Sequence, residues 1–176
     1  MKRLLAAAML FAMPTTAFAQ TPCLTTAEAE AITLVAFPDI IRETGRVCTT
    51  LPASSVVRRT SGPFLARYQV EADRAWPAAQ SAIAKLSDPR LSMLLLQSDY
   101  ARPLITSLIA PLIVGRVQSS DCGTIDRIMT LLEPLPPRNS AGIVVASLQH
   151  LKAEKARGTA AVADIPDLPV CAASRR

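Results

Sequence analysis

The stretch Pro89–Val114, PRLSMLLLQSDYARPLITSLIAPLIV, constrains this chain more than any other. Its apolar residues recur at helical spacing: Leu91, Leu94 and Leu95 in the first half, then Leu104, Ile105, Leu108, Ile109, Leu112 and Ile113 in the second. That period belongs to a helix, and a helix apolar on nearly every side belongs in a core. Behind the wide apolar face, Thr106, Ser107 and Ala110 are small enough for another helix to approach closely. Pro103 should bend or break the element, because proline lacks the amide proton and crowds the preceding turn. The stretch reads as a central helix, or kinked pair, against which the others pack. It does not read as a membrane span: Gln97, Ser98, Asp99 and Arg102 interrupt the apolar run well short of the ~20 residues a bilayer requires.

The rest of the chain repeats the helical period. Thr25-Thr26-Ala27-Glu28 supplies an N-cap and an early acid, followed by Ala29 and Ile32. Pro38 is expected to interrupt this helix, so that PDIIRETG forms a second short one closed by Gly45. A short helix through Val56-Val57 stops at Gly62, and Pro63 opens another with Phe64, Tyr68, Ala72 and Ala75 or Trp76 in an apolar stripe. Trp76-Pro77 predicts a kink or restart. Ser119-Ser120-Asp121 caps a helix carrying Ile125, Ile128, Met129 and Leu132. The last helix runs from about Ser140 to Arg157, with Val144, Leu148 and Leu151 inward, and Gly158 ends it. No segment alternates with period two, so little strand is expected. The expected fold is all-α: a single-domain irregular bundle of about six or seven helices over residues 20–157, then an extended tail over 158–176 tied back by a disulfide.

The N-terminus reads as a targeting segment. Lys2 and Arg3 precede the apolar run Leu4–Met13, and Ala17-Phe18-Ala19 has the small-x-small pattern of a cleavage site, giving a signal peptide over residues 1–19. No lipobox precedes Cys23. The Ala-, Arg- and Pro-rich composition fits a bacterial exported protein, so the expected location is the periplasm, or the extracellular space. No transmembrane anchor remains once the signal is cleaved. Four cysteines, Cys23, Cys48, Cys122 and Cys171, then read as two disulfides. Of the three pairings, Cys23–Cys48 with Cys122–Cys171 is preferred, since each bridge would tie a fraying end to the helical body. There is no CxxC, which sets aside thiol oxidoreductases and zinc knuckles.

The formal net charge is +5, two units of it from Lys2 and Arg3, and the remaining bases are scattered in runs no longer than two. Nucleic-acid binding calls for a concentrated basic patch with interleaved aromatics, so no nucleic-acid partner is expected. Phe64, Tyr68 and Trp76 read as core, and Arg58-Arg59 as a solvated helix edge.

Candidate chemistry is sparse. His150 is the only histidine, and Ser147, His150 and Glu154 share a helix face. A hydrolase would use Ser147 as nucleophile, His150 as base and Glu154 to orient it. Side chains on one straight helix diverge outward and leave no oxyanion site, so a solvated polar face is the stronger reading. A metal at His150 and Glu154 would lack two further ligands. No phosphate loop, G-x-S-x-G, S-x-x-K, H-E-x-x-H or EF-hand pattern is present, and no catalytic residue, metal or cofactor is assigned. The ligand-binding candidates are Asp99, Tyr100 and Arg102, polar residues at the expected break in the apolar stretch.

Two functions follow. The first is a non-enzymatic periplasmic interaction or structural protein that binds another envelope protein or itself. The alternative is a small-molecule module binding an amphiphilic, lipid-like anion in a cavity lined by the Leu104–Ile113 face and gated by Tyr100 and Arg102. A hydrolase is the third and weakest.

Overall fold

The computed structural model describes residues 22–98, 100–163 and 165–172, and all statements of structure refer to these. The expected signal peptide and Asp99 lie outside the described residues. Six α-helices follow one another: α1 Thr26–Val47, α2 Pro63–Leu86, α3 Pro89–Gln97, α4 Ala101–Val114, α5 Cys122–Leu132 and α6 Pro137–Ala156. Three short 3₁₀ turns stand between or after them, and among the described residues no strand forms. The all-α expectation holds.

Helix α1 is the hub, in place of the 89–114 stretch. It packs against α2, α4 and α6 and buries residues such as Ala29, Leu34, Val35, Ala36 and Ile41 on several sides. Its start is a complete capping box: the Thr25 hydroxyl accepts from the Glu28 amide at 3.3 Å, and the Glu28 carboxylate accepts from the Thr25 amide at 2.7 Å. Contrary to the sequence expectation, the helix runs through Pro38 without a restart. Proline inside a helix costs about 3 kcal/mol, and here its ring is buried, with packed turns on both sides holding the axis. Helix α2 likewise continues through Pro77, and presents Ala72, Ala75, Ala79 and Ala82 to its neighbours. Small side chains along one stripe let helix axes approach closely, so α1 and α2 form the most extensive pair.

Phe64 and Tyr68 are buried and Trp76 is partly buried against Ala75 and Ala79. The Phe37 and Phe64 rings each meet Tyr68 edge-on at 5.4 Å between centroids. The apolar stretch does break: α3 ends at Gln97 and α4 begins at Ala101. Pro103 then sits in the first turn of α4, where its missing amide proton has no intrahelical acceptor to lose.

The disulfides connect Cys23 to Cys171 and Cys48 to Cys122, with Cα–Cα distances of 5.1 and 5.5 Å. The neighbouring pairing is therefore overturned, and the continuity of α1 is the reason. Cys23 and Cys48 flank a 22-residue helix, which at 1.5 Å per residue separates its ends by about 33 Å. No disulfide spans more than about 7 Å between Cα atoms. Helix α6 instead brings the tail back to the start of α1. There Leu24 bridges Val170 in parallel, the Leu24 amide donating to Pro169 at 2.6 Å and the Cys171 amide to Leu24 at 2.8 Å. Lys152 adds two bonds to tail carbonyls, to Leu168 at 2.9 Å and Val170 at 2.6 Å.

Candidate functional site

Helix α4 meets α1 through its small side. Ala101, Thr106, Ala110 and Val114 are buried, and the Thr106 hydroxyl satisfies itself on the Pro103 carbonyl at 3.3 Å. Close approach of this side to α1 leaves the large residues facing away. Leu104, Leu108 and Leu112, one turn apart along one edge, are 57%, 60% and 74% exposed, and Ile113 beside them is half exposed. Upstream, Leu91 and Met93 of α3 are also exposed, and Tyr100 at the junction is 82% exposed. Of the face expected to form a core or a cavity wall, Leu104, Leu108, Leu112 and Ile113 are instead on the outer surface, while Ile105 and Ile109 are partly buried. Arg90 in the first turn of α3 and Arg116 just beyond α4 are exposed and make no ion pair among the described residues.

Of the predicted ligand residues, Arg102 turns away from Tyr100. Its guanidinium donates to the Asp73 carboxylate on α2 at 2.6 Å. Together these two border a cleft of about 500 Å³ between α1, α2 and α4, which also includes Asp39, Arg42 and Gln69. Arg42 donates to Asp39 at 2.7 Å and to Gln69 at 2.9 Å. Each cation in the cleft thus already has an anion, and the leucines of α4 contribute nothing to its wall. Tyr100 faces solvent, outside this cleft.

The polar face of α6 is assembled differently from a catalytic set. The Ser147 hydroxyl donates to the Ile143 carbonyl one turn back, at 2.9 Å. His150 stands 3.8 Å from Glu154, and that carboxylate also receives Arg157 at 2.9 Å and Thr159 at 2.9 Å. No hydrogen bond joins Ser147 to His150. Among the described residues no three His, Cys, Asp or Glu side chains gather as a metal ion would require.

A cluster unforeseen in the sequence lies where α2, α5 and the Val56–Arg58 turn meet. Arg59 grips both oxygens of Glu133 at 2.7 and 2.8 Å, and Arg67 donates to the Glu133 carbonyl. Both guanidiniums lie over the Phe64 ring, at 5.9 and 5.3 Å from its centroid. The hydrogen bond from Arg59 holds the Glu133 carboxyl below its ordinary range and pushes the Arg59 guanidinium further up. Three guanidinium nitrogens are spent on Glu133, which fastens these elements together, while the Nε atoms of Arg59 and Arg67 are buried without a partner among the described residues. Arg58-Arg59, read from the sequence as a solvated helix edge, is instead half-buried, and the Arg59 partner Glu133 lies 74 residues away, beyond any local pattern.

No protein-family model, curated protein or solved structure matches this chain. The outer face of α4 is accordingly the feature on which a functional reading rests.

Proposed function

We propose that this chain is a non-catalytic interaction protein of the bacterial cell envelope, exported through residues 1–19 and docking onto another envelope component through the outer face of α4. The single observation that carries the reading is the run Leu104, Leu108 and Leu112 on the exposed side of a helix whose small side is packed against α1. Burying a leucine contributes about 1.5–3 kcal/mol relative to leaving it in water. Contiguous exposed apolar surface of this kind marks an interaction face. Two disulfides across the body suit an oxidising compartment, where such a face must stay rigid without intracellular partners.

The competing small-molecule reading asks for an apolar cavity ending at a free arginine. Arg102 lies in a cleft of mixed polar and apolar lining and is already bonded to Asp73, so it is not a free cation at the end of an apolar cavity. The hydrolase reading asks for a Ser147–His150 bond, and Ser147 is bonded to its own helix instead.

Photo-crosslinking in cells tests the proposal. A photoreactive side chain in place of Leu108 should give discrete adducts, and the same group in place of Ser147, on the exposed face of α6, should not. Absence of adducts at both positions, or equal adducts at both, would refute it.

A further inference from the structure

Taking the docking reading of α4 as its premise, we infer that the surface it meets is a lipid bilayer carrying anionic headgroups. Between Pro89 and Val117 the charged residues are Arg90, Arg102 and Arg116 and the single acid Asp99, which lies outside the described residues. Arg102 is taken by Asp73. Arg90 and Arg116 stand exposed without an ion pair among the described residues, one at the start of α3 and one just past α4. Along the chain the apolar stretch is thus flanked by two exposed cations without an ion pair, with no described carboxylate between them.

A second copy of the chain would fit that rim poorly. A parallel α4 pair would bring Arg116 of one copy against Arg116 of the other. A face of leucines and isoleucines also lacks the polar groups that fix register between two protein helices. A bilayer asks for neither register nor a carboxylate. It accepts apolar side chains to a depth of about 5–10 Å from a helix lying in its plane, and arginine stems reach back to phosphate oxygens.

The aromatic residue falls in a suitable place. Tyr100, the most exposed large apolar side chain among the described residues, sits at the α3–α4 junction, and tyrosine favours the headgroup level, where its ring is shielded and its hydroxyl wet. The end of α3 at Gln97 and the start of α4 at Ala101 would lie at that same level, where water can satisfy their backbone. Helix α4, 14 residues and so about 21 Å long, would rest along the surface. No described helix is long and apolar enough to cross a membrane. The attachment is therefore peripheral, and anionic lipid should strengthen it in a salt-sensitive way.

Vesicle flotation with the disulfide-bonded protein tests this directly. Vesicles of phosphatidylglycerol and phosphatidylcholine are compared with phosphatidylcholine alone, at 0.02–0.05 M and about 0.5 M salt, where screening lengths differ severalfold. The expected result is binding to the anionic vesicles that weakens at least fivefold in high salt. Leu104→Gln, Leu108→Gln and Leu112→Gln together should lower partitioning at least tenfold. Arg90→Gln with Arg116→Gln should remove most of the preference for anionic lipid while leaving the apolar face intact. The parent and both variants are tested as the chain from Gln20 onward, so that residues 1–19 contribute no membrane affinity.

The inference is overturned by a parent that ignores anionic vesicles, by a leucine variant that floats as well as the parent, or by an arginine variant that keeps the full lipid preference. Adducts at position 108 to a protein or to a second copy, without flotation, overturn the lipid inference and leave the docking reading standing. Flotation lost in the leucine variant supports both.

Discussion

The Tyr68 phenol and the Ser140 hydroxyl meet 3.2 Å apart in the interior, both side chains buried, joining α2 to α6. A hydroxyl pair in an apolar setting satisfies each member, and removing one strands the other. Tyr68→Phe should lower unfolding free energy by about 1–2 kcal/mol, measured by urea denaturation. An unchanged midpoint would mean that this bond does not hold α6 in place.

Gly45 occupies the end of α1 where the Val56–Arg58 turn crosses it. A Cβ there would stand 2.7 Å from the Val57 carbonyl oxygen and 2.5 Å from a Thr60 methyl. In an open helix, Gly→Ala gains about 0.5–1 kcal/mol. Here overpacking should reverse the sign, and Gly45→Ala should lose about 1–3 kcal/mol. A stabilised variant would show that the turn does not approach so closely.

The two bridges enclose long loops, with sequence separations of 148 and 74 residues. Chain-entropy arguments give about 4–5 kcal/mol for such loops, less where the two share a constraint. Non-reducing peptide mapping should find Cys23 joined to Cys171 and Cys48 to Cys122. Replacing the buried Cys48–Cys122 pair by alanines should cost about 2–5 kcal/mol and expose the start of α5 to proteolysis. Any Cys23–Cys48 peptide would contradict the continuous α1.

Acid should weaken the fold. Hydrogen bonds from Lys85 and the Thr25 amide hold Glu28 below the usual carboxylate range. Arg59 does the same for Glu133. For Glu71, burial pushes the other way but is outweighed by Arg138 and Arg74. Carboxyls depressed on folding contribute stability that is complete above their unfolded values and lost as pH falls through the folded ones. Thermal unfolding should therefore be flat from neutral pH down to the carboxylate range and decline below it. In Glu133→Gln that decline should be shallower. A midpoint that rises on acidification would contradict these pairings.

The sequence disclosed helices more fully than it disclosed their faces. The Thr25–Glu28 cap, Pro63 at a helix start and the Phe64–Tyr68–Ala72 stripe are local, and local rules decided them. Pro38 and Pro77 misled because a proline penalty of about 3 kcal/mol is small beside the packing of a long central helix. The disulfide pairing, preferred because it would tie fraying ends to the body, failed because an unbroken α1 holds Cys23 and Cys48 at opposite ends. Helix α4 misled for another reason. With apolar residues nearly all round, the pattern offers two burial solutions, and the sum of hydrophobicity favours the leucines. Close approach to α1 favours Ala101, Thr106, Ala110 and Val114 instead, and that choice depends on the partner helix. Arg102 fell at a cleft, yet its partner Asp73, 29 positions earlier, could not be read from spacing.

The most direct measurement is denaturant unfolding of the variant carrying Leu104→Gln, Leu108→Gln and Leu112→Gln, beside the single variant Leu65→Ala as a core reference. If the outer face of α4 is kept for a partner, the triple variant should unfold within about 0.5 kcal/mol of the parent, as surface changes do. Leu65→Ala should lose about 2–5 kcal/mol. A triple variant that loses as much as the core reference, or more, would mean that the leucines hold the fold, and the docking face would have to be abandoned.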